Sequence, residues 1–306
     1  MNAALCLLGY AAVLGWLAPA ALKRLTYVGR SPRLAVTVWL TTIAVAVGAW
    51  IVGSTGILRE MAGHHSVDPV IGYCADAVLA LHHLGWGGDV ALGVVGISAL
   101  VASFIAVRRI VSASQRFWRR SAEHAHAAHI LGSPTHRPGV VLMNTDRAAA
   151  YCVAGRPHAI VVTSGAVETL SEPELTAVLA HERAHLAGRH PQLMMLLRAL
   201  TASVPVLPLF SAAVAAVGRL VEMSADDSAA RRHGRGVLLG GLVALAGSAP
   251  TGGAALAAAD TAVLARAERL AAPVPWQPLL RERVSLAATL VALIAIPVVL
   301  ALVCHP

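Results

Sequence analysis

Long apolar runs dominate the pattern of hydrophobic and polar positions along this chain. Four runs are long enough to cross a bilayer, which takes about 20 apolar residues. Their bounds are roughly 3–22, 35–58, 89–107 and 284–303. Between the third and fourth run lies a stretch of mixed polarity, residues 108–283, which is long enough for one folded domain. We therefore expect a mainly α integral membrane protein, with three transmembrane helices within 1–107 and a fourth within 284–306.

The region of mixed polarity changes its period along the sequence. Three short runs, bounded by turn residues, predict a small sheet: 139–144, 150–154 and 159–164. Apolar residues at helical spacing then predict a helix over roughly 172–187, with Ser171 and Glu174 spaced as a capping box. Gly188 and Pro191 should end this helix. These elements together indicate an α+β domain.

Residues 192–217 are also strongly apolar, but a single membrane crossing there would separate residues that we expect to meet at one site. Pro205 and Pro208 lie near the middle of the segment, where a turn would fall, and Arg198 would be costly at a bilayer centre. We expect two short helices that pack in the domain or dip into the membrane surface. Whether the segment enters the membrane stays open.

Composition agrees with a membrane protein, since 57% of the residues are hydrophobic and only 13% are charged. The net charge of +8 is concentrated in the loop after the first run, after the third run and before the fourth. The positive-inside rule then places the N-terminus outside and the domain in the cytoplasm. We expect the membrane to be a bacterial plasma membrane. The basic residues therefore indicate orientation beside the lipid bilayer, and no nucleic-acid recognition module is present.

One motif in the predicted helix carries chemistry, the sequence HERAH at 181–185. Residues four apart lie on one side of a helix, so His181 and His185 can offer two imidazole nitrogens to one metal ion. Glu182 lies about 100° round the helix, where it can act on a metal-activated water without ligating. The alternative is an ordinary polar helix face with two exposed histidines.

A third ligand would decide between these alternatives, because catalytic zinc takes three protein ligands and keeps one open position. Residues 218–234 predict a helix on which Glu222 and Asp226 share one face. Glu222 is the candidate ligand, and Asp226 can accept a hydrogen bond from a ligating histidine. Asp227 is expected to be a surface charge.

The sequence RLVEMSADDSA at 219–229, together with HERAH, resembles the R-x-x-E-x-x-A-D-x-x-A element of membrane-bound gluzincin metallopeptidases. These include HtpX-type quality-control proteases, CAAX prenyl proteases and BlaR/MecR-type sensor-transducers, and the resemblance covers about 139–234. It implies a zincin-like protease domain with one zinc ion per chain and Glu182 as general acid and base. His233 and Arg231 are candidate cations for the oxyanion, and a basic helix end that complements the helix dipole is the alternative for both.

The plan of three spans, a cytoplasmic protease and a last span is most similar to the BlaR/MecR type. Because the sequence ends two residues after Cys304, we expect no outer penicillin-binding domain. The resemblance also implies that an extended polypeptide substrate pairs with the strand that contains Tyr151, Cys152 and Val153. Cys152 is expected to serve packing.

Three functions stay open from the sequence. The first is regulatory proteolysis, in which a membrane signal activates cleavage of a transcriptional repressor or of the protease itself. The second is HtpX-like quality control of damaged membrane proteins. The third is a non-enzymatic zinc-dependent signal transducer, and Glu182 argues against it because a scaffold needs only ligands.

Overall fold

Helices form most of the protein, and one small sheet interrupts them. The structure is a computed structural model that describes residues 2–63, 86–247, 254–272 and 275–303. Elements are numbered in chain order within these ranges. The sequence-based expectation of a mainly helical membrane protein with a small sheet is confirmed.

Apolar helices lie at both ends of the described chain. They are α1 (Asn2–Trp16), α2 (Ala18–Leu25), α3 (Pro32–Gly63), α4 (Trp86–Leu131) and, at the far end, α11 (Trp276–Val303). The predicted runs 35–58 and 284–303 fall on α3 and α11. The run 3–22 falls on α1 and α2, which are bent by 50° at Leu17.

By length and composition, three helices in the described ranges could cross a membrane: Pro32–Ile57, Pro208–His233 and Trp276–Val303. A fourth crossing results if the bent pair α1–α2 is one span. The predicted run 89–107 forms part of α4 and is not among these candidates. The protein is thus a multi-pass membrane protein, and the number of four spans stays a prediction.

The sheet contains the three predicted strands and one short strand that the sequence did not indicate. The strands are β1 (Ser133–Pro134), β2 (Val140–Met143), β3 (Ala150–Val153) and β4 (Ala159–Thr163). Their order is β1-β2-β4-β3, with β2 parallel to β4 and β3 antiparallel to β4. This order leaves β3 at the edge of the sheet, which is the position an added strand requires.

The remaining helices follow the sheet. They are α5 (Ser164–Thr169), α6 (Glu172–Ala187), α7 (His190–Ser203), α8 (Pro208–His233), α9 (Arg235–Gly247) and α10 (Ala254–Ala271). The predicted bounds of α6 are confirmed, and so is its capping box, in which the Ser171 amide donates to Glu174 Oε2 at 2.9 Å. Gly188 caps its C-terminus, but the left-handed residue is Arg189, with φ of 51°.

The segment 192–217 does not form two short helices of its own. The chain turns at 204–207, as the prolines predict, but the second part continues without interruption into the predicted helix 218–234. The result is the single 26-residue helix α8. Alanine is the best helix former and α8 is rich in it, while Gly218 alone is too weak a breaker to end the helix.

The largest apolar core joins α8 to the helices at both ends of the chain. Val217 and Leu220 of α8 are fully buried in it together with Trp39 of α3 and Leu286 of α11. Between apolar helices in a membrane, side chains of this size stabilise the contact by close van der Waals packing. Helix α8 is therefore an internal helix of the described fold, fixed among apolar helices at its first half.

Candidate metal centre

Two helices bring three metal-binding side chains together. His181 and His185 lie on α6 and Glu222 lies on α8, and one ligand atom from each falls within 4.8 Å of the other two. The Nε2 atoms of the two histidines are 3.0 Å apart. Each of them is 3.5 Å from an oxygen of Glu222. The spacing of four on α6 and the buried packing of α8 against it produce this cluster.

The cluster fits a tetrahedral zinc ion. Ligands bound at about 2.0–2.1 Å in tetrahedral geometry lie about 3.3 Å from one another, close to the spacing of these donors. His181 and His185 are only 5% and 8% exposed. Burial of two adjacent imidazoles is not what a solvated polar helix face would give, so the structure favours the metal site over that alternative.

His181 turns its second ring nitrogen toward Asp226. The distance from Nδ1 to Asp226 Oδ1 is 3.0 Å, although the alignment falls short of a good hydrogen bond, and among the described residues Nδ1 has no other partner. Burial alone would lower the pKa of His181, but the carboxylates of Asp226 and Glu222 outweigh it and raise that pKa to about 9. A cation at Nε2 would take the place of this proton, as metal binding requires.

Arg266 of α10 completes this side of the site, and no pattern in the sequence indicated it. Its guanidinium donates to both oxygens of Asp226, at 2.8 and 2.6 Å, and lies 3.3 Å from Glu222 Oε2. Arg266 lies 40 positions after Asp226, and no motif in the sequence connects the two residues. Asp227 has a side chain that is 26% exposed and forms a paired contact with Arg269 at 2.8 Å, so the expected surface charge has an arginine partner.

His185 is oriented by a histidine that the sequence analysis did not select. The Nδ1 atoms of His185 and His190 are 2.9 Å apart, so one of them donates to the other. Burial and the nearby His185 lower the pKa of His190 to about 4, which leaves it neutral at pH 7. Gly188 makes this contact sterically accessible, since a Cβ there would lie only 2.3 Å from His190 Nε2.

Glu182 lies between the histidine pair and the edge strand β3. Burial raises the pKa of Glu182 above its ordinary value. Burial and the neighbouring Glu182 also raise the pKa of Cys152, so the thiol stays protonated. Cys152 therefore lies beside the expected general base, in addition to packing.

The register of β3 directs backbone groups toward its free edge. The Thr163 amide donates to Ala149 O at 3.1 Å, and Cys152 pairs in register with Ile160. Because antiparallel pairs alternate between bonded and non-bonded, the N–H and C=O of Cys152 point away from β4. Tyr151 is 43% exposed on the opposite face from Cys152. A peptide can thus pair with this strand beside Glu182.

His233 and Arg231 lie at the far end of α8, in its last turn. Helix geometry places the His233 backbone about 16 Å beyond Glu222 along the axis. The cation that the described structure places beside Glu222 is Arg266, at 3.3 Å. A role for His233 at the oxyanion stays a prediction, and this geometry does not favour it over a basic helix end.

This chain has similarity to a known peptidase family and to a solved structure. The profile of peptidase family M48 matches residues 114–271, which span α4 to α10 and include every residue of the metal centre. Among solved structures, Ste24p from S. mikatae is similar at 15% identity, with a TM-score of 0.26. That match covers 68% of this chain and 58% of Ste24p, so the chain spans less than two thirds of that protein. No curated protein sequence matches.

The family match extends over more than half of the 306 residues, and M48 peptidases are zinc-dependent. The chain therefore belongs to peptidase family M48.

Proposed function

We propose that this protein is a zinc-dependent endopeptidase of a bacterial plasma membrane, and that it performs regulatory proteolysis. The observation that carries the proposal is the convergence of His181, His185 and Glu222 beside Glu182. Zinc bound there would polarise the scissile carbonyl and make water acidic enough to lose a proton near neutral pH. Each chain would hold one such ion.

The chain's own residues then have distinct tasks. Glu182 would accept the proton of the attacking water and later deliver it to the leaving amine. The Cys152 backbone would hold the substrate extended along β3. Asp226 and His190 would keep the two imidazoles oriented, and Arg266 would hold Asp226 in place.

Regulation is supported by the way the ligand helix is packed. The first half of α8 is buried among α1, α3 and α11, and its second half carries Glu222. A change in the apolar helices would therefore reach the metal centre through one rigid element. The proposed orientation, with the N-terminus outside and the site in the cytoplasm, gives such a signal access to a repressor or to the protease itself.

Quality control of membrane proteins is the second candidate, and a small groove favours it. The groove has a volume of about 110 Å³ and is lined by Phe117 and Trp118 of α4 and by Met195 of α7, next to Ala154 at the end of β3. A single apolar side chain of a substrate that leaves β3 would fit into it. A non-enzymatic transducer, by contrast, would have no use for Glu182 beside the edge strand.

One variant separates these functions. Full-length Glu182→Gln protein, purified in detergent, should bind one zinc ion per chain and lose peptide cleavage by at least a hundredfold. Because substrates stay bound to this variant, cross-linking in cells should capture them. A soluble repressor would support regulatory proteolysis and unrelated membrane proteins would support quality control. If the Glu182→Gln strain kept full biological function, the peptidase proposal would fail.

A further inference from the structure

The short connection between α2 and α3, residues 26–31, contacts the helix that carries the third metal ligand. We call it the α2–α3 loop. Arg219 of α8 donates from Nη2 to Thr26 O at 2.7 Å and from Nη1 to Tyr27 O, and its guanidinium lies 5.8 Å from the Tyr27 ring centre. One arginine therefore satisfies two loop carbonyl groups directly after the C-terminus of α2. These bonds tie the loop directly to α8.

The backbone of the α2–α3 loop lies in close contact with α8 at Gly29. Gly29 has φ of 63°, and a Cβ there would lie 2.7 Å from Met223 Sδ and 3.2 Å from Leu220 Cδ2. Only glycine combines this left-handed conformation with this approach at little cost. The α2–α3 loop thus packs without a side chain between its backbone and the helix.

The other side of the loop is anchored to the apolar helices. The Ser31 amide donates to Oε1 of the buried Glu282 on α11 at 2.9 Å. The Trp39 indole of α3 donates to the Thr26 hydroxyl at 3.1 Å, and both side chains are fully buried. The loop therefore cannot shift relative to α3 and α11 without breaking buried hydrogen bonds, which are costly to leave unmade.

These contacts fall on the same turn of α8 as the ligand. Arg219 precedes Glu222 by three residues and Met223 follows it, so their side chains lie within about 100° of Glu222 around the helix. Arg33, at the start of α3, also donates to the Ser224 hydroxyl at 3.3 Å. A helix turn is rigid. The loop that fixes Arg219 and Met223 therefore also fixes the position of Glu222 along the axis of α8 and its direction around that axis.

We propose that Arg219 is a positioning residue for the metal centre, and that the α2–α3 loop sets where Glu222 stands relative to the two histidines. It touches neither substrate nor metal and acts through α8. The inference rests on the proposed function only for the identity of the ion. It assigns a specific path by which the apolar helices control the peptidase, from α3 and α11 through the α2–α3 loop to Glu222.

The test replaces Arg219 in the full-length protein. For Arg219→Gln we expect the zinc dissociation constant, measured by competition with a chromophoric chelator, to rise at least tenfold. In the cobalt-substituted protein the visible absorption bands should shift, because they report the geometry of the ligands. Peptide cleavage should lose at least tenfold in kcat with little change in KM, since the β3 edge is untouched. Arg232→Gln, at an exposed position on the same helix, is the matched control and should match wild type in all three.

A purely structural role would give a different result. It would lower the melting temperature of Arg219→Gln but leave the zinc affinity, the cobalt spectrum and kcat of the folded protein within twofold of wild type, and that outcome would overturn the proposal. If Arg219→Gln does not fold, Ser224→Ala and Arg219→Lys decide. Ser224→Ala should weaken zinc binding about threefold. Arg219→Lys cannot reach both carbonyls, so its zinc affinity should lie between that of wild type and the tenfold loss expected for Arg219→Gln. Wild-type metal affinity in both would equally overturn it.

The experiment separates this inference from the proposed function. Zinc affinity and the cobalt spectrum are measured without any substrate. A wild-type protein that binds zinc but cleaves no peptide would end the peptidase proposal, while the affinities of the Arg219 variants would still decide whether the α2–α3 loop positions Glu222.

Discussion

Replacing Asp226 by asparagine removes one negative charge from the most buried polar contact of the metal centre. Asp226 is 1% exposed, accepts two bonds from Arg266 at 2.6 and 2.8 Å, and lies 3.0 Å from His181 Nδ1. Asparagine keeps the shape and one acceptor oxygen. The guanidinium of Arg266 would then face Glu222, 3.3 Å away, as its nearest carboxylate and would compete with the metal for it.

The size of the effect follows from these contacts. Loss of a partner that orients a ligating histidine costs about 10–100-fold in metal affinity, or about 1.4–2.7 kcal/mol. Complete removal of one side of a buried ion pair costs about 3–5 kcal/mol of folding stability. Because asparagine preserves one acceptor, we expect about 2–3 kcal/mol for Asp226→Asn in the metal-free protein.

The adjacent Asp227 gives a control with the same change of charge. It pairs with Arg269 at 2.8 Å, but its side chain is 26% exposed and it lies outside the donor cluster. Asp227→Asn should lower the melting temperature modestly and leave zinc affinity within twofold of wild type. Chelator competition measures the affinity and thermal unfolding with excess chelator measures the stability. Equal zinc affinities for Asp226→Asn and Asp227→Asn would refute the role given to Asp226.

Three further outcomes test other parts of the structure. Cys152→Pro removes the amide that points to the free edge of β3, so KM for peptide substrates should rise at least tenfold with zinc content unchanged, whereas Cys152→Ala keeps that amide and should keep KM. An unaltered KM in the proline variant would place the substrate elsewhere. Zinc at 100 times its dissociation constant should stabilise the metal-free protein by about 2.7 kcal/mol in thermal unfolding, and no stabilisation would contradict a preformed site. Val206 is 73% exposed in the turn between α7 and α8. In intact cells that produce the Val206→Cys variant, the cysteine at this position should not react with a membrane-impermeant thiol reagent. Labelling of this cysteine from outside the cell would contradict the proposed topology.

Local periodicity accounts for what could be read from the sequence. The bounds of α6 follow from its capping box and its terminal glycine, and the histidine pair follows from a spacing of four on that helix. Glu222 and Asp226 could be selected for the same reason, because helical spacing puts them on one face. Three of the four strands were likewise marked by apolar runs between turn residues.

Tertiary packing accounts for what the sequence analysis missed. Arg266 reaches Asp226 from a helix 40 residues later, and no periodicity within either helix indicates that approach. His190 approaches His185 only because the chain reverses through Arg189 in a left-handed conformation, which glycine or asparagine would have marked more clearly. The continuity of α8 was hidden because its two halves have different polarity, and each half resembles a separate element when read alone.

The continuity of α8 changes how the hydrophobic pattern of this protein should be understood. Residues 208–221 are apolar enough to count toward a membrane crossing, yet the helix has 61% of its apolar window buried inside the protein and continues to Glu222 and Asp226. A single crossing between α6 and Glu222 would leave those carboxylates on the opposite side of the bilayer from the histidines of α6, and the 3.5 Å contacts between Glu222 and both rings would be impossible. The metal centre thus argues against a single crossing there and is compatible with a helix that stays on one side or returns to it. Conversely, a helix that shares one apolar core with α3 and α11 cannot rotate by itself, so the position of the third ligand depends on the packing of those helices.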